Sequence, residues 1–160
     1  MNTRPKLLPV AVAIMAAGLV AALGATITEL GPWYLRLRQP SWAPPDIAFG
    51  PAWTIIFGLT AWAGLTAWRA SSRAVGETLL GMFALNGFLN LLWSFLFFRM
   101  HRPDWAGIEV LLLWASIAAL IVVCWRRSRK AAFLLVPYLA WVTFAGILNA
   151  EVVRLNAPFH

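Results

Sequence analysis

Trp33-Tyr34-Leu35-Arg36-Leu37-Arg38-Gln39-Pro40-Ser41-Trp42-Ala43-Pro44-Pro45 runs on through Phe49 and Pro51 to Trp53-Thr54, and the whole stretch lies between two long uncharged segments. A connection this rich in aromatic rings and prolines has large apolar surface to bury and little backbone entropy to lose. It reads as a rigid lid over something apolar, at the mouth of a bundle of membrane-crossing helices.

The flanking sequence supplies those helices. Stretches 7–28, 47–68, 78–98 and 131–150 carry no charge, and 105–125 carries a single acid, Glu109. Each is 20 to 22 residues long, close to the ~20 that span a bilayer core as a helix. Apolar residues make up 61% of the 160, charged residues only 12%, and ten are tryptophan. Backbone polar groups in lipid must be satisfied within the segment. The expectation is therefore all-α: one domain over 1–160, an integral multi-pass bundle with helices over 7–28, 47–68, 78–98, 105–125 and 131–154, and the Trp/Pro-rich loop between the first two. The first run has a rival reading as a signal peptide behind Arg4 and Lys6. It is longer than a usual signal core and ends Thr26-Ile27-Thr28-Glu29 without a good cleavage site, so a retained helix is favoured.

Five spans put the termini on opposite faces. Arg4, Lys6, Arg69, Arg73, Arg126, Arg127, Arg129 and Lys130 fall on one face; Arg36, Arg38, Arg99, Arg102 and Arg154 fall on the other. The positive-inside rule places the N-terminus in the cytoplasm and the lid outside. These flanks account for the net charge of +7 and leave no nucleic-acid partner to invoke. A lone cysteine, Cys124, excludes an internal disulfide and a multi-cysteine metal site and reads as a small apolar residue.

Within the helices, spacing selects inward faces. Trp53, Phe57, Thr60 and Gly64 share one stripe, and Asn86, Asn90, Trp93 and Phe97 another. Asparagine in mid-membrane must pair with backbone or another helix, so this stripe points inward, as interhelical glue, ligand contact or both. Trp141, Ala145, Leu148 and Val152 form a third stripe, with Asn149 beside it. The small residues Ala17, Ala21 and Ala25 suit close helix packing. Gly81 and Gly87 suggest a homodimer. Trp62, Trp68, Trp105 and Trp125 lie near helix ends and read as interface-belt residues. Glu109 is expected to snorkel or to pair with an outer-face arginine, and Pro137 to kink the last helix slightly.

The lid, Asn90-x-x-Trp93-x-x-x-Phe97-Phe98, Trp105 with an acid at 109, Pro137-Tyr138-x-x-Trp141 and Leu148-Asn149 to Arg154-Leu155-Asn156 together resemble the translocator protein family, also called tryptophan-rich sensory proteins or peripheral-type benzodiazepine receptors. The resemblance covers nearly the whole chain. It implies a five-helix bundle whose first loop closes a ligand pocket. It also implies binding of porphyrins such as protoporphyrin IX and, in photosynthetic bacteria, a role as an oxygen- or light-responsive regulator of tetrapyrrole metabolism. The positions matching family pocket residues are Trp42, Trp53, Asn86, Asn90, Trp93, Trp141, Ala145 and Leu148; Phe57 stands where members often have tyrosine. The animal sterol motif wants a tyrosine where this chain has Ala150.

The leading functional reading is a membrane receptor or carrier for porphyrins and related hydrophobic ligands, with porphyrin as ligand rather than cofactor and Arg36 or Arg38 meeting its propionates. His101 and His160 lie outside the helices, away from any axial-ligand position. One alternative is an enzyme of light- or oxygen-dependent porphyrin degradation using Trp53 and Trp141, although no nucleophile–base pair is visible. A sterol, lipid or coupled transporter is the other, without the internal repeats such proteins show. Which membrane holds the protein stays open.

The orientation has a direct check. Cysteine introduced at Ser41 should react with an impermeant thiol reagent in intact spheroplasts, and cysteine at Ser72 should not; the opposite pattern overturns the assignment.

Overall fold

The computed structural model describes residues 7–28 and 30–159, with side chains from Ala13 onward. Arg4, Lys6, Glu29 and His160 lie outside the described residues. Every regular element among those described is helical: α1 (Leu7–Ile27), the short α2 (Pro32–Leu35), a 3-10 turn (Asp46–Ala48), α3 (Phe49–Arg69), α4 (Arg73–Ser94) with a π-helical turn (Phe95–Arg99), α5 (Pro103–Trp125) and α6 (Arg129–Asn156). Helices α3 to α6 are each long and apolar enough to cross a membrane, and α1 adds a fifth apolar helix of 21 residues.

The helices close into a ring in the order α1, α3, α6, α5, α4, with a further contact between α3 and α4. Leu, Ile and Phe side chains such as Ile108, Leu111 and Phe133 face outward, as a surface solvated by lipid requires. Cations over indoles mark the helix ends. Arg102 sits 4.2 Å from the Trp105 ring, Arg129 5.4 Å from Trp125 and Lys130 4.7 Å from Trp62. These three tryptophans are the belt residues expected of them.

Two boundaries differ from the charge-free segments. Helix α4 starts at Arg73 rather than 78, because Arg73 and Glu77 pair along its exposed first turns at 2.9 Å; a charge pair at i,i+4 supports a helix that a search for uncharged residues overlooks. Helix α6 starts at Arg129, where the Ser128 hydroxyl accepts from the Ala131 amide, and it continues through Pro137. Gly87, expected to serve a dimer, is used inside the bundle: a Cβ there would lie 3.2 Å from Val20 of α1.

The lid is folded rather than draped. The Tyr34 hydroxyl donates to Asp46 Oδ1 at 2.8 Å, closing the loop on itself; burial first, and then this bond, hold the phenol well above its usual pKa. Trp33 stacks on His101 at 4.2 Å and meets Phe97 edge-on at 6.1 Å, while Tyr34 packs on Phe98 at 5.8 Å. The π turn makes this possible. Its wider register, closed by the Met100 amide on the Phe95 carbonyl at 3.0 Å, lets the consecutive residues Phe97 and Phe98 both face the lid. At the far end of α6, Asn156 acts as a surrogate peptide. Its Oδ1 accepts from the Arg38 amide at 2.8 Å and its Nδ2 donates to the Arg38 carbonyl at 2.9 Å.

Asn156→Ala removes both bonds of this clasp. At about 0.5–1.5 kcal/mol each, their loss should speed tryptic cleavage after Arg36 or Arg38 by roughly tenfold in folded protein. An unchanged rate would mean that ring contacts alone hold the lid.

Candidate functional site

Side chains converge from α1, α3, α4, α6 and the lid, in two adjoining compartments. The first lies under the lid. Trp42 meets Phe144 edge-on at 5.9 Å, Phe144 meets Trp141 at 5.6 Å, and Trp141 meets Trp53 at 6.3 Å. Trp53 then stacks on Phe57 at 5.2 Å and 24°. An unbroken file of rings therefore runs from the lid to mid-membrane, flanked by Phe49 against Trp141 and Tyr138 against Trp53. Trp93 stands beside this file, stacked on Phe97 at 5.3 Å and packed against the same core as Trp53 and Trp141.

The second compartment is a cavity of about 570 Å³ between α1, α3 and α4, which on α3 runs from Phe57 away from the lid to Trp68. Phe57, Thr60 and Gly64 line it from α3, and Asn86 and Asn90 from α4. Its wall is almost wholly apolar, because small residues of α1 and α3 leave space where larger ones would fill it. Tyr138 and Phe57 belong to both compartments: each ring meets Trp53, at 6.2 Å and 5.2 Å, and each residue lines the cavity.

Of the residues singled out in the sequence, Trp42, Trp53, Trp93 and Trp141 fall in the lid compartment, and Phe57, Asn86 and Asn90 in the cavity. Ala145 and Leu148 are half-buried on α6, one and two turns beyond Trp141. Both asparagines are cross-links. Asn86 donates to Ser116 of α5 at 2.8 Å, and Asn90 donates to the Tyr138 hydroxyl of α6 at 3.2 Å. Asn149 plays the same part, donating to the Pro103 carbonyl at 2.8 Å.

Three outcomes depart from the reading of the sequence. Trp68 is no simple belt residue, since it lines the cavity and rests against Gly76, where a Cβ would come within 3.1 Å of the indole. Glu109 neither snorkels nor pairs with an arginine: it is 5% exposed, and neither carboxyl oxygen has a partner. Arg36 and Arg38 are exposed on the lid, and neither lines the cavity. Arg36 lines a small outer cleft with Trp33, His101 and Asn156, and the Arg38 backbone is held by the clasp. Tyr138 was underrated, although its place three residues before Trp141 puts both on one helix face. The indole N–H groups of Trp93 and Trp141 are buried without acceptors. Buried donors left unused beside a ring file are what a ligand with an acceptor edge requires.

Comparison with known proteins now adds to this geometry. The family model described as the TspO/MBR family matches residues 10–155. The chain is 42% identical to the tryptophan-rich protein TspO of Chlorobaculum tepidum over 78% of its own length and 79% of that protein. It is 36% identical to Protein CrtK of Rhodobacter capsulatus over 91% of each chain. To the human translocator protein it is 33% identical over 78% of its own length and 75% of the human one.

The cross-link between α4 and α6 is open to a double-mutant test. Asn90→Leu strands the Tyr138 hydroxyl and should destabilise the detergent-solubilised protein by about 1–3 kcal/mol. Adding Tyr138→Phe should recover part of that loss. Strictly additive losses would show that the two side chains do not act together.

Proposed function

This chain belongs to the TspO/MBR family of integral multi-pass membrane proteins, known as sensory or translocator proteins, and on that premise we propose that it is a receptor or carrier for porphyrins and related flat, conjugated hydrophobic ligands. The observation that supports this reading most is the file of rings from Trp42 through Trp141 and Trp53 to Phe57, with two buried indole donors beside it. Flat conjugated rings stack on or meet such faces and edges favourably. The apolar body of the ligand replaces lipid contact, and acceptor groups at its edge satisfy Trp93 and Trp141. The clasped lid then excludes water and competing lipid, so that opening of the loop governs capture and release. Regulation of tetrapyrrole metabolism or of an oxygen response follows if the lid-closed, loaded form is what a partner senses.

Porphyrin titration of the purified protein should quench tryptophan emission. Trp141→Phe should weaken binding several-fold, in line with about 0.5–1.5 kcal/mol for one well-placed ring contact. Trp125→Phe, at the end of α5, should leave affinity nearly unchanged. Equal weakening by both substitutions in folded protein would assign the porphyrin to the bundle surface and end the proposal.

A further inference from the structure

Glu109 is a carboxyl buried inside the bundle that neither the helix packing nor the ring file uses. It is 5% exposed, and neither of its oxygens has a hydrogen-bond partner among the described residues. The cations of the same membrane face are turned elsewhere: Arg102 bonds Asp104, Arg154 bonds Glu151, and Arg99 donates to the Thr26 carbonyl. An acid left uncompensated in the membrane interior is costly, and such residues serve function far more often than folding.

The surroundings of Glu109 follow from a bond that sets register. Asn86 of α4 donates to Ser116 of the antiparallel α5 at 2.8 Å. Trp93 lies seven residues beyond Asn86, and Glu109 seven residues before Ser116. Seven residues make nearly two full turns, about 10 Å, so each stays on the stripe of its bonded relative. The two therefore stand at one level on facing sides of α4 and α5. Packing agrees, since Trp93 rests against one cluster containing Ala106 and another containing Val110 and Leu113, the α5 residues that bracket Glu109. Trp53 and Trp141 pack on the second of these clusters, which puts Glu109 at the edge of the lid compartment, ~9 Å inside the Pro103 end of its helix. The Trp93 indole N–H is also buried without an acceptor. One donor and two carboxyl oxygens thus share a level of the same seam, all unpaired.

We propose, on the reading of this protein as a porphyrin receptor, that Glu109 and Trp93 form the subsite for a carboxyl arm of the ligand, and that Glu109 selects acids over esters. Two carboxyl groups brought together in a low-dielectric site share one proton. That proton makes a charge-assisted O–H···O bond between Glu109 and the ligand, while the Trp93 N–H donates to the ligand's second carboxyl oxygen. The macrocycle stays against Trp53 and Trp141, and its arm reaches sideways into the seam between α4 and α5. An ester cannot carry the shared charge and gains only neutral hydrogen bonds.

Tryptophan quenching of the purified full chain by protoporphyrin IX and by its dimethyl ester tests this. The native chain should bind the diacid about tenfold more tightly than the diester, the difference between a charge-assisted and a neutral bond. Glu109→Leu should bring the two affinities together, and Glu109→Met should do the same if leucine packs poorly. Glu109→Gln, which keeps a donor and an acceptor, should retain most of the preference. Thermal melting separates a binding group from a structural one. Glu109→Leu should melt no lower than the native chain, because no bond within the bundle is lost; a melting temperature lowered by several degrees would show the carboxyl bonded internally and overturn the subsite. Equal binding of diacid and diester by the native chain, or a preference that survives both leucine and methionine, overturns it too, and leaves the porphyrin reading standing. Saturable quenching by neither porphyrin would end that reading and the subsite with it.

Discussion

The hydrogen bond from Asn90 to the Tyr138 hydroxyl is the interaction on which the rest of the bundle is hung. Among lipid tails, apolar side chains gain nothing by leaving their surroundings for one another, so helices associate through close packing and the few polar groups that must be matched. Helices α4 and α6 are not neighbours in the ring, yet this bond ties them through its middle. Asn86 to Ser116 and Asn149 to the Pro103 carbonyl tie α4 to α5 and α6 to α5. With α4, α5 and α6 pinned to one another, the register of the rings they carry is set, and α6 presents Phe144 and Trp141 to Trp53 of α3.

The pinned centre also explains why the two halves of the bundle look unlike each other. Toward the lid, large rings meet edge to face and fill the space between α3, α4 and α6. Away from it, α1 and α3 present alanine and glycine, and the space stays open. Tyr138 belongs to both halves, its ring against Trp53 in one and its side chain among the lining of the other. A change in ligand occupancy on either side therefore meets the same side chain.

Much of this could be read from residue spacing. Uncharged runs marked the spans, and the 4-3-4 spacing of Trp53, Phe57, Thr60 and Gly64 picked out a face whose last three members line the cavity. Spacing could not separate the compartments, because a stripe tells which way a side chain points but not at what depth its neighbours stop. Trp68 looked like a belt residue for the same reason: position near a helix end is visible, and the facing Gly76 that draws the ring inward is not. Glu109 failed differently. A single acid in an apolar run invites a search for the nearest arginine, but its helix face is set by Ala106, Val110 and Leu113, which carry it into the core. The clasp was beyond reach altogether, since Arg38 and Asn156 stand 118 residues apart and nothing periodic links them.

That separation bears on how the protein is made. Chains enter the membrane from the N-terminal end, so the lid is complete long before the residue that fastens it exists. Until α6 is inserted, the Arg38 peptide has no Asn156 to meet, Trp42 has no Phe144, and Asn90 has no Tyr138. The lid compartment is thus completed in a single late step of biogenesis, when the last helix slots between α3 and α5. A nascent chain stalled before that point exposes an unfastened, ring-rich loop, a ready signal for membrane quality control to recognise.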